Sequence, residues 1–234
     1  MTQSLALRAI LQPDARPSQR GASAFKLPSD SHSKTHMVAP DSMEWGELHM
    51  NRRLAHVPYL EALARSGKAS VVYCESATST CEEKAAAAGM HPDSVVKAIY
   101  AKEVFGDERH IIAVSGPRRI RLASVLSDAY EGSSIKVADG APEGMAHGTC
   151  TPFVSEEVAG SLTFIGVESP LSERKGKRGR VLGILGELEA DISIGGTDST
   201  AHRLSVRMKY SDFVDALKAA YGDKVVILRD VERL

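Results

Sequence analysis

Residues 94–100 read Ser-Val-Val-Lys-Ala-Ile-Tyr, and this stretch decides the fold. A short run of β-branched and apolar residues predicts a β-strand. Side chains alternate between the two faces of a strand, so Lys97 shares a face with Val95 and Ile99. A lysine on such a face either points into a cleft or extends its ammonium group to solvent at a sheet edge. The pattern alone leaves both interpretations open.

Strand and helix patterns alternate on both sides of this stretch. Ala69–Cys74 predicts a strand, and Thr80 with Glu83 forms a capping box that opens a helix ended by Gly89. Such alternation is typical of a single mixed α/β domain. Further strands are predicted at His110–Val114, Ile135–Ala138, Thr163–Val167, Arg180–Gly186, Asp191–Gly195, Leu204–Met208 and Val225–Leu228, and helices at Arg119–Tyr130 and Ser211–Ala220, the second capped by Ser211 and closed by Gly222.

The first 67 residues have a different character. Residues 12–35 contain three prolines among Ser, Arg and Gln and show no apolar period, so they cannot bury enough surface to offset their ordering entropy. An organelle transit peptide is the less favoured alternative, since the apolar residues do not alternate with the arginines. Residues 45–66 predict one or two short helices, broken at Pro58. We therefore predict an N-terminal extension over residues 1–67, partly disordered, and a folded domain over residues 68–234.

The composition excludes several classes of protein. The 234 residues include 29 Lys and Arg against 30 Asp and Glu, so a globally basic nucleic-acid binder is excluded while a local basic patch is not. Three cysteines without CxxC spacing disfavour a disulfide scaffold and a zinc site and fit a reducing cytosol. The usual nucleotide, metal and serine-hydrolase motifs are missing, and we expect no metal or other cofactor. No apolar run approaches the ~20 residues of a membrane span.

The loop over residues 144–153 has an unusual backbone composition. Gly148 permits dihedral angles that other residues avoid, and Pro152 fixes its own φ while restricting the residue before it. A loop of this shape can point the successive amides of residues 149–151 at one spot, which would make an oxyanion cradle from main chain alone. An ordinary turn between two elements is the alternative interpretation.

Cys150 lies inside this loop and suggests a second type of chemistry. A thiolate nucleophile needs a base or a positive neighbour, and His147 stands three residues earlier. We regard this as the weaker hypothesis, because the loop can act through its main chain.

A basic run follows at residues 174–180, which hold five cations and two glycines. A flexible basic loop on a nearly neutral protein is suited to contact a phosphate backbone. The alternative is a solvated hairpin tip, which is the usual fate of a charge run.

In order and spacing, these features resemble the YbaK/prolyl-tRNA synthetase-associated family of aminoacyl-tRNA editing domains. The resemblance runs from about Val71 to Leu228 and implies a twisted, mixed, mainly antiparallel sheet with flanking helices. Two departures, Glu75 after the first strand and a long segment over 155–180, bear on the substrate. The features that carry the resemblance are the capped helix of residues 80–89, the lysine strand of residues 95–101, the loop of residues 148–152 that matches the GxxxP pattern, and the closing turn at Gly195 and Gly196.

The resemblance implies a cytoplasmic trans-editing enzyme that hydrolyses the ester of a mischarged aminoacyl-tRNA and releases the amino acid. Small residues such as Ala or Cys on proline tRNA are the implied substrates. The GxxxP amides would polarise the carbonyl and Lys97 would orient the substrate, so the predicted catalytic residues are Lys97, Gly148, Thr149, Cys150 and Pro152. Predicted substrate or tRNA contacts are Thr80, His147, Phe153, Arg174, Lys175, Lys177, Arg178, Gly195 and Gly196.

Two further functions remain open at the level of sequence. One is a non-catalytic module on the same fold that binds tRNA or a synthetase. The other is a hydrolase of free aminoacyl esters, which would not need the basic run. The expected partners are mischarged tRNA and an aminoacyl-tRNA synthetase, with no DNA and no membrane.

Overall fold

The computed structural model of the protein describes residues 35–38, 67–74, 76–129, 134–175, 179–197 and 201–234. The helices predicted within residues 45–66, and Glu75, Lys177 and Arg178, lie outside the described residues. In chain order the strands and helices are β1 (Thr35–Val38), β2 (Ala69–Cys74), α1 (Cys81–Ala88), β3 (Val95–Glu103), β4 (Arg109–Ser115), α2 (Leu122–Ala129), β5 (Ile135–Val137), α3 (Glu156–Ser161), β6 (Phe164–Glu168), β7 (Glu173–Lys175), β8 (Val181–Ile184), β9 (Glu189–Ser193), β10 (Leu204–Lys209), α4 (Tyr210–Tyr221) and β11 (Val225–Leu228).

In the described part of the chain, nine strands form one mixed sheet. Its order is β1-β2-β10-β9-β3-β4-β6-β11, with β5 also paired to β3, while β7 and β8 form a separate hairpin. The pairs β1/β2, β2/β10, β9/β10, β3/β4 and β3/β5 are antiparallel, and β3/β9, β4/β6 and β6/β11 are parallel. The prediction of a mixed α/β fold with a mainly antiparallel sheet is confirmed.

Strand β3 shares one of its edges between two partners. Strand β9 pairs with it at Val95 and Val96, and β5 pairs with it over 101–103. Residues 97–100 therefore lie where the sheet splits. Lys97 is the first residue of this split, so the topology itself sets the lysine beside an opening in the sheet.

Two apolar clusters cover the two faces of the sheet. One contains α4 and packs against Ala98 and Tyr100, and the other contains Val125 of α2 and packs against Ile99. Since Lys97 alternates with Ala98, it lies on the face of Ile99, as the period-two pattern predicts.

The helix ends show where local sequence rules hold and where they fail. Thr80 Oγ1 accepts a hydrogen bond from the Glu83 amide at 3.1 Å and Gly89 closes α1 in the left-handed region, which confirms the capping box and the stop. The prediction that Ser211 caps the last helix is wrong. Helix α4 starts one residue earlier, and its N-cap residue, Lys209, makes no side-chain capping bond. Burial of the Tyr210 ring, which is fully enclosed, explains the earlier start.

Three short elements were not predicted. Strand β1 lies within the predicted extension and pairs with β2, α3 is capped by Ser155, and β7 replaces part of the predicted basic loop. None is longer than six residues, and none has the apolar run that indicated the equally short β5 and β11. Among the described residues, no helix has the length and apolar character needed to cross a membrane.

Candidate functional site

A cavity of about 100 Å³ opens beside the split in the sheet. It brings together the start of α1, the lysine strand and the GxxxP loop, which are far apart in the sequence. Four of the predicted site residues, Thr80, Lys97, Gly148 and Cys150, line it. The other lining residues are Thr78, Ser79, Cys81, Lys84, Val95, Val96, Ala98, Ser193, Ala201 and His202.

The GxxxP loop keeps two main-chain donors free. Gly148 has φ +83°, a region that other residues rarely adopt. The Thr149 amide donates to the Ala146 carbonyl at 3.1 Å, so its predicted place in the cradle is not supported. The amides of Cys150 and Thr151 meet no hydrogen-bond acceptor in the described part of the chain. Cys150 lines the cavity and Thr151 does not, so the loop brings one such donor residue to the cavity instead of the three expected.

The glycine turn shapes this loop from behind. The Gly196 carbonyl accepts hydrogen bonds from the Ala146 amide at 2.8 Å and from Thr149 Oγ1 at 2.9 Å. A Cβ on Gly195 would lie only 2.9 Å from Cγ2 of Thr151. Neither glycine lines the cavity, so their predicted substrate contacts are not supported, and both lie behind the loop.

Replacing Gly195 by Ala should disturb the loop without touching the cavity. The residue has φ +83°, and the added methyl group must displace Thr151. We expect a loss of about 1–3 kcal/mol in the free energy of unfolding, measured by urea titration, because a side chain is strained in this region. The open, positive-φ Gly67 is the control, since Gly67→Ala adds strain but no clash. Equal effects of both substitutions would contradict the bracing role.

The Lys97 side chain lies between the candidate cavity and Arg118. The side chain is half-buried, and its Nζ donates a hydrogen bond to the carbonyl of Arg118. Burial lowers the pKa of Lys97, the nearby Cys81 thiol opposes this shift, and the cations of Arg233 and Arg174 add to it. The lysine is thus an electrostatic group inside the fold and not a lysine extended into bulk solvent.

Cys150 is a poor nucleophile in this setting. Burial raises the pKa of its thiol to about 12, so the thiolate is scarce at neutral pH. The proposed activating base, His147, is exposed and does not line the cavity. The structure brings Cys150 to the site but leaves His147 outside it.

If the protein has the hydrolytic activity that the resemblance implies, the Cys150→Ala variant should keep most of it. The substitution removes the thiol and leaves the amide donor in place. We expect kcat/KM on a mischarged aminoacyl-tRNA to fall by less than about threefold, because the reaction does not pass through sulfur. A thousandfold loss in a folded variant would instead establish a covalent thioester mechanism.

Two predicted contacts are built into the interior. Arg174 is buried, with Nη2 3.0 Å from Oδ1 of Asp93 and Nη1 3.8 Å from Oε1 of Glu168. It is a member of a buried ion network and not part of an exposed basic loop. Phe153 is fully buried and packs edge-on against Phe213 with ring centroids 5.7 Å apart, so a substrate contact from its ring is not supported.

Several cavity residues had no signal in the sequence. The His202 carbonyl accepts hydrogen bonds from the amide and hydroxyl of Thr78, and its ring Cε1 would lie 3.5 Å from a Cβ on Gly148. Lys84 and Ser193 also face the cavity. Each of these residues meets the rest of the cavity only through contacts between segments far apart in the sequence, so no local motif could have indicated it. Within the described ranges, no group of three or more His, Cys, Asp or Glu side chains is placed to hold a metal ion.

Comparison with known proteins supports the fold and leaves the family open. No protein-family model matches the chain, and no curated protein matches it. A computationally designed scaffold for presenting linear epitopes matches with TM-score 0.51 and 22% identity, over 78% of this chain and 96% of the scaffold. At this identity the likeness concerns the fold alone.

Two further solved structures are similar at lower scores. A crystal structure of a hypothetical protein has TM-score 0.49 and 17% identity over 73% of this chain and 96% of that protein. A protein described as a candidate trans-editing enzyme for prolyl tRNA synthetase has TM-score 0.48 and 20% identity over 75% of this chain and 95% of that protein.

Proposed function

We propose that the protein hydrolyses the ester bond of a mischarged aminoacyl-tRNA. The observation that carries this proposal is the meeting of Thr80, Lys97 and the GxxxP loop at one cavity. These are the residues on which the resemblance to the editing family depends, and they are separated by up to 68 positions in the sequence. The cavity therefore supplies a physical reason for their spacing.

Hydrolysis of this ester does not require a nucleophilic side chain. An aminoacyl ester is already activated, so a positioned water and a polarised carbonyl suffice to break it. Donors aimed at a developing oxyanion are worth about 3–4 kcal/mol each in the transition state. The Cys150 amide, which meets no acceptor among the described residues, is the donor that this loop offers at the cavity. The ribose hydroxyl of the substrate, which the resemblance implicates, would help to activate the water.

The charge around the cavity suits a tRNA end. A neighbouring cavity of about 280 Å³ is lined by Asp93, Arg118, Glu173, Arg174, Lys175 and Arg233. Glu168 pairs with both Arg174 and Arg233, so four cations meet three acids there. It adjoins the candidate site, because Lys97 donates its hydrogen bond to the carbonyl of Arg118. Terminal phosphates of the acceptor strand would be attracted to this surplus positive charge.

A panel of mischarged tRNAs, each carrying a labelled amino acid, tests the proposal. The purified protein should release the amino acid from at least one member in multiple turnovers, with free tRNA as the second product. Binding of tRNA, measured in the same samples, distinguishes the proposed hydrolase from a non-catalytic module that only binds tRNA. Tight binding without release from any member would contradict the proposal and indicate a non-catalytic module.

A further inference from the structure

The inner wall of the cavity carries a lysine that the proposed reaction does not use. Lys84 lies on the buried face of α1 and lines the cavity with a side chain that is 9% exposed. Its Nζ lies 3.6 Å from Oδ1 of the fully buried Asp191. In the described part of the chain this ammonium group makes no hydrogen bond. Since an ammonium group has three donors, donors remain available to a ligand.

Beneath α1, the single carboxylate of Asp191 lies near two cations. Arg207 is its register partner on β10, and the Arg207 Nη2 donates to the Ala88 carbonyl at 2.8 Å. Two cations, Lys84 and Arg207, thus accompany a single carboxylate in this layer. Arg207 is half-buried and does not line the cavity, so Lys84 is the cation of this group that a ligand would meet, and it favours an anionic or hydrogen-bond-accepting group.

Two hydroxyl groups add to the donors of this cavity. Ser193 Oγ accepts from the Gly195 amide at 3.3 Å, and Thr80 Oγ1 accepts from the Glu83 amide at 3.1 Å. Neither hydroxyl donates to an acceptor within the described ranges, so each proton is free for a ligand. Lys84, Ser193 and Thr80 therefore line one cavity with hydrogen-bond donors, and the Asp191 carboxylate beside Lys84 makes no hydrogen bond within the described ranges.

We propose that this cavity binds the acyl side chain of the ester, and that Lys84 selects side chains ending in an oxygen acceptor. The inference rests on the proposed function. An aspartyl carboxylate would use the ammonium and hydroxyl donors together, and a seryl hydroxyl would use some of them. An alanyl group would leave the buried ammonium unsatisfied, which costs binding energy.

Binding of non-hydrolysable analogues tests this directly. The probes are adenosines that carry aspartyl, seryl or alanyl groups through an amide, and the readout is Kd by titration calorimetry. We expect the aspartyl analogue to bind at least about tenfold more tightly than the alanyl analogue, with the seryl analogue between them. Equal affinities, or no binding of any analogue, would overturn the inference.

A double variant assigns the preference to the lysine. Lys84→Met with Asp191→Asn removes both charges, so neither is left buried without its partner. The double variant should bind the three analogues within about twofold of one another. Lys218→Met, on the exposed side of α4, is the control and should keep the wild-type preference. If the double variant keeps the preference too, Lys84 is not the selecting residue and the inference is wrong.

Deacylation measured in parallel separates this inference from the proposed function. A binding preference with no release of amino acid from any tRNA would reject the function and leave the subsite standing. Release without a preference for acceptor side chains would do the reverse. Should the double variant fail to fold, the wild-type ratio of affinities still decides the inference.

Discussion

Replacing Gly148 by Val abolishes deacylation if the main chain of the GxxxP loop holds the oxyanion. Gly148 has φ +83°, and a β-branched residue is a genuine outlier in that region. The loop must change its path to accept the valine, and the free amides that follow it move with it. We expect kcat/KM to fall by at least about a hundredfold, as when an oxyanion-hole donor is lost.

A matched variant separates this loss from general backbone strain. Gly140 has φ +95°, and a Cβ there would meet nothing within 4 Å. Gly140→Val should cost similar stability while its activity stays within about threefold of the wild type, because the strain lies away from the cavity. Circular dichroism and thermal melts check that both variants fold. A folded, active Gly148→Val protein would contradict the main-chain cradle.

Lys97→Ala should lower deacylation by at least about tenfold without unfolding the protein, since the proposed role of this charge is to orient the substrate. The lysine lines the cavity, and its Nζ donates to the carbonyl of Arg118, a residue of the arginine-lined cavity. We expect the loss mainly in kcat, with a smaller increase in KM, because the tRNA keeps its other cationic contacts. Single-turnover rates at saturating enzyme measure the first effect.

Lys102 provides the control on the same strand. It pairs with Asp139 at 2.6 Å, away from the cavity. Lys102→Ala should leave the rate within about twofold of the wild type, as expected for an exposed ion pair. Wild-type turnover in a folded Lys97→Ala protein would refute the role of the lysine.

The parts of the fold that follow from local rules were predictable. The β3 pattern indicated both the strand and the face of Lys97, because alternation has a fixed period. The capping box and Gly89 indicated the ends of α1, because helix capping involves only residues a few positions apart. The meeting of Thr80, Lys97 and Gly148 at one cavity was expected only through the resemblance.

The parts that depend on distant partners were not predictable. The basic run predicted an exposed Arg174, but the residue is buried and forms ion pairs with Asp93 and Glu168. Asp93 lies 81 residues away in the sequence, so no local pattern could indicate it. Lys84 belongs to an alanine-rich helix, and only the packing of α1 against β2 and β3 brings it next to Asp191 of β9. The sequence likewise predicted an unpaired Thr149 amide, whereas in the structure this amide donates to the Ala146 carbonyl.

The most direct test of the account is the rate of amino-acid release from mischarged tRNA, compared with the uncatalysed rate. The account predicts rapid release by the wild type that Gly148→Val lacks and Cys150→Ala keeps. Release by neither wild type nor variants, while all three still bind tRNA, would contradict it.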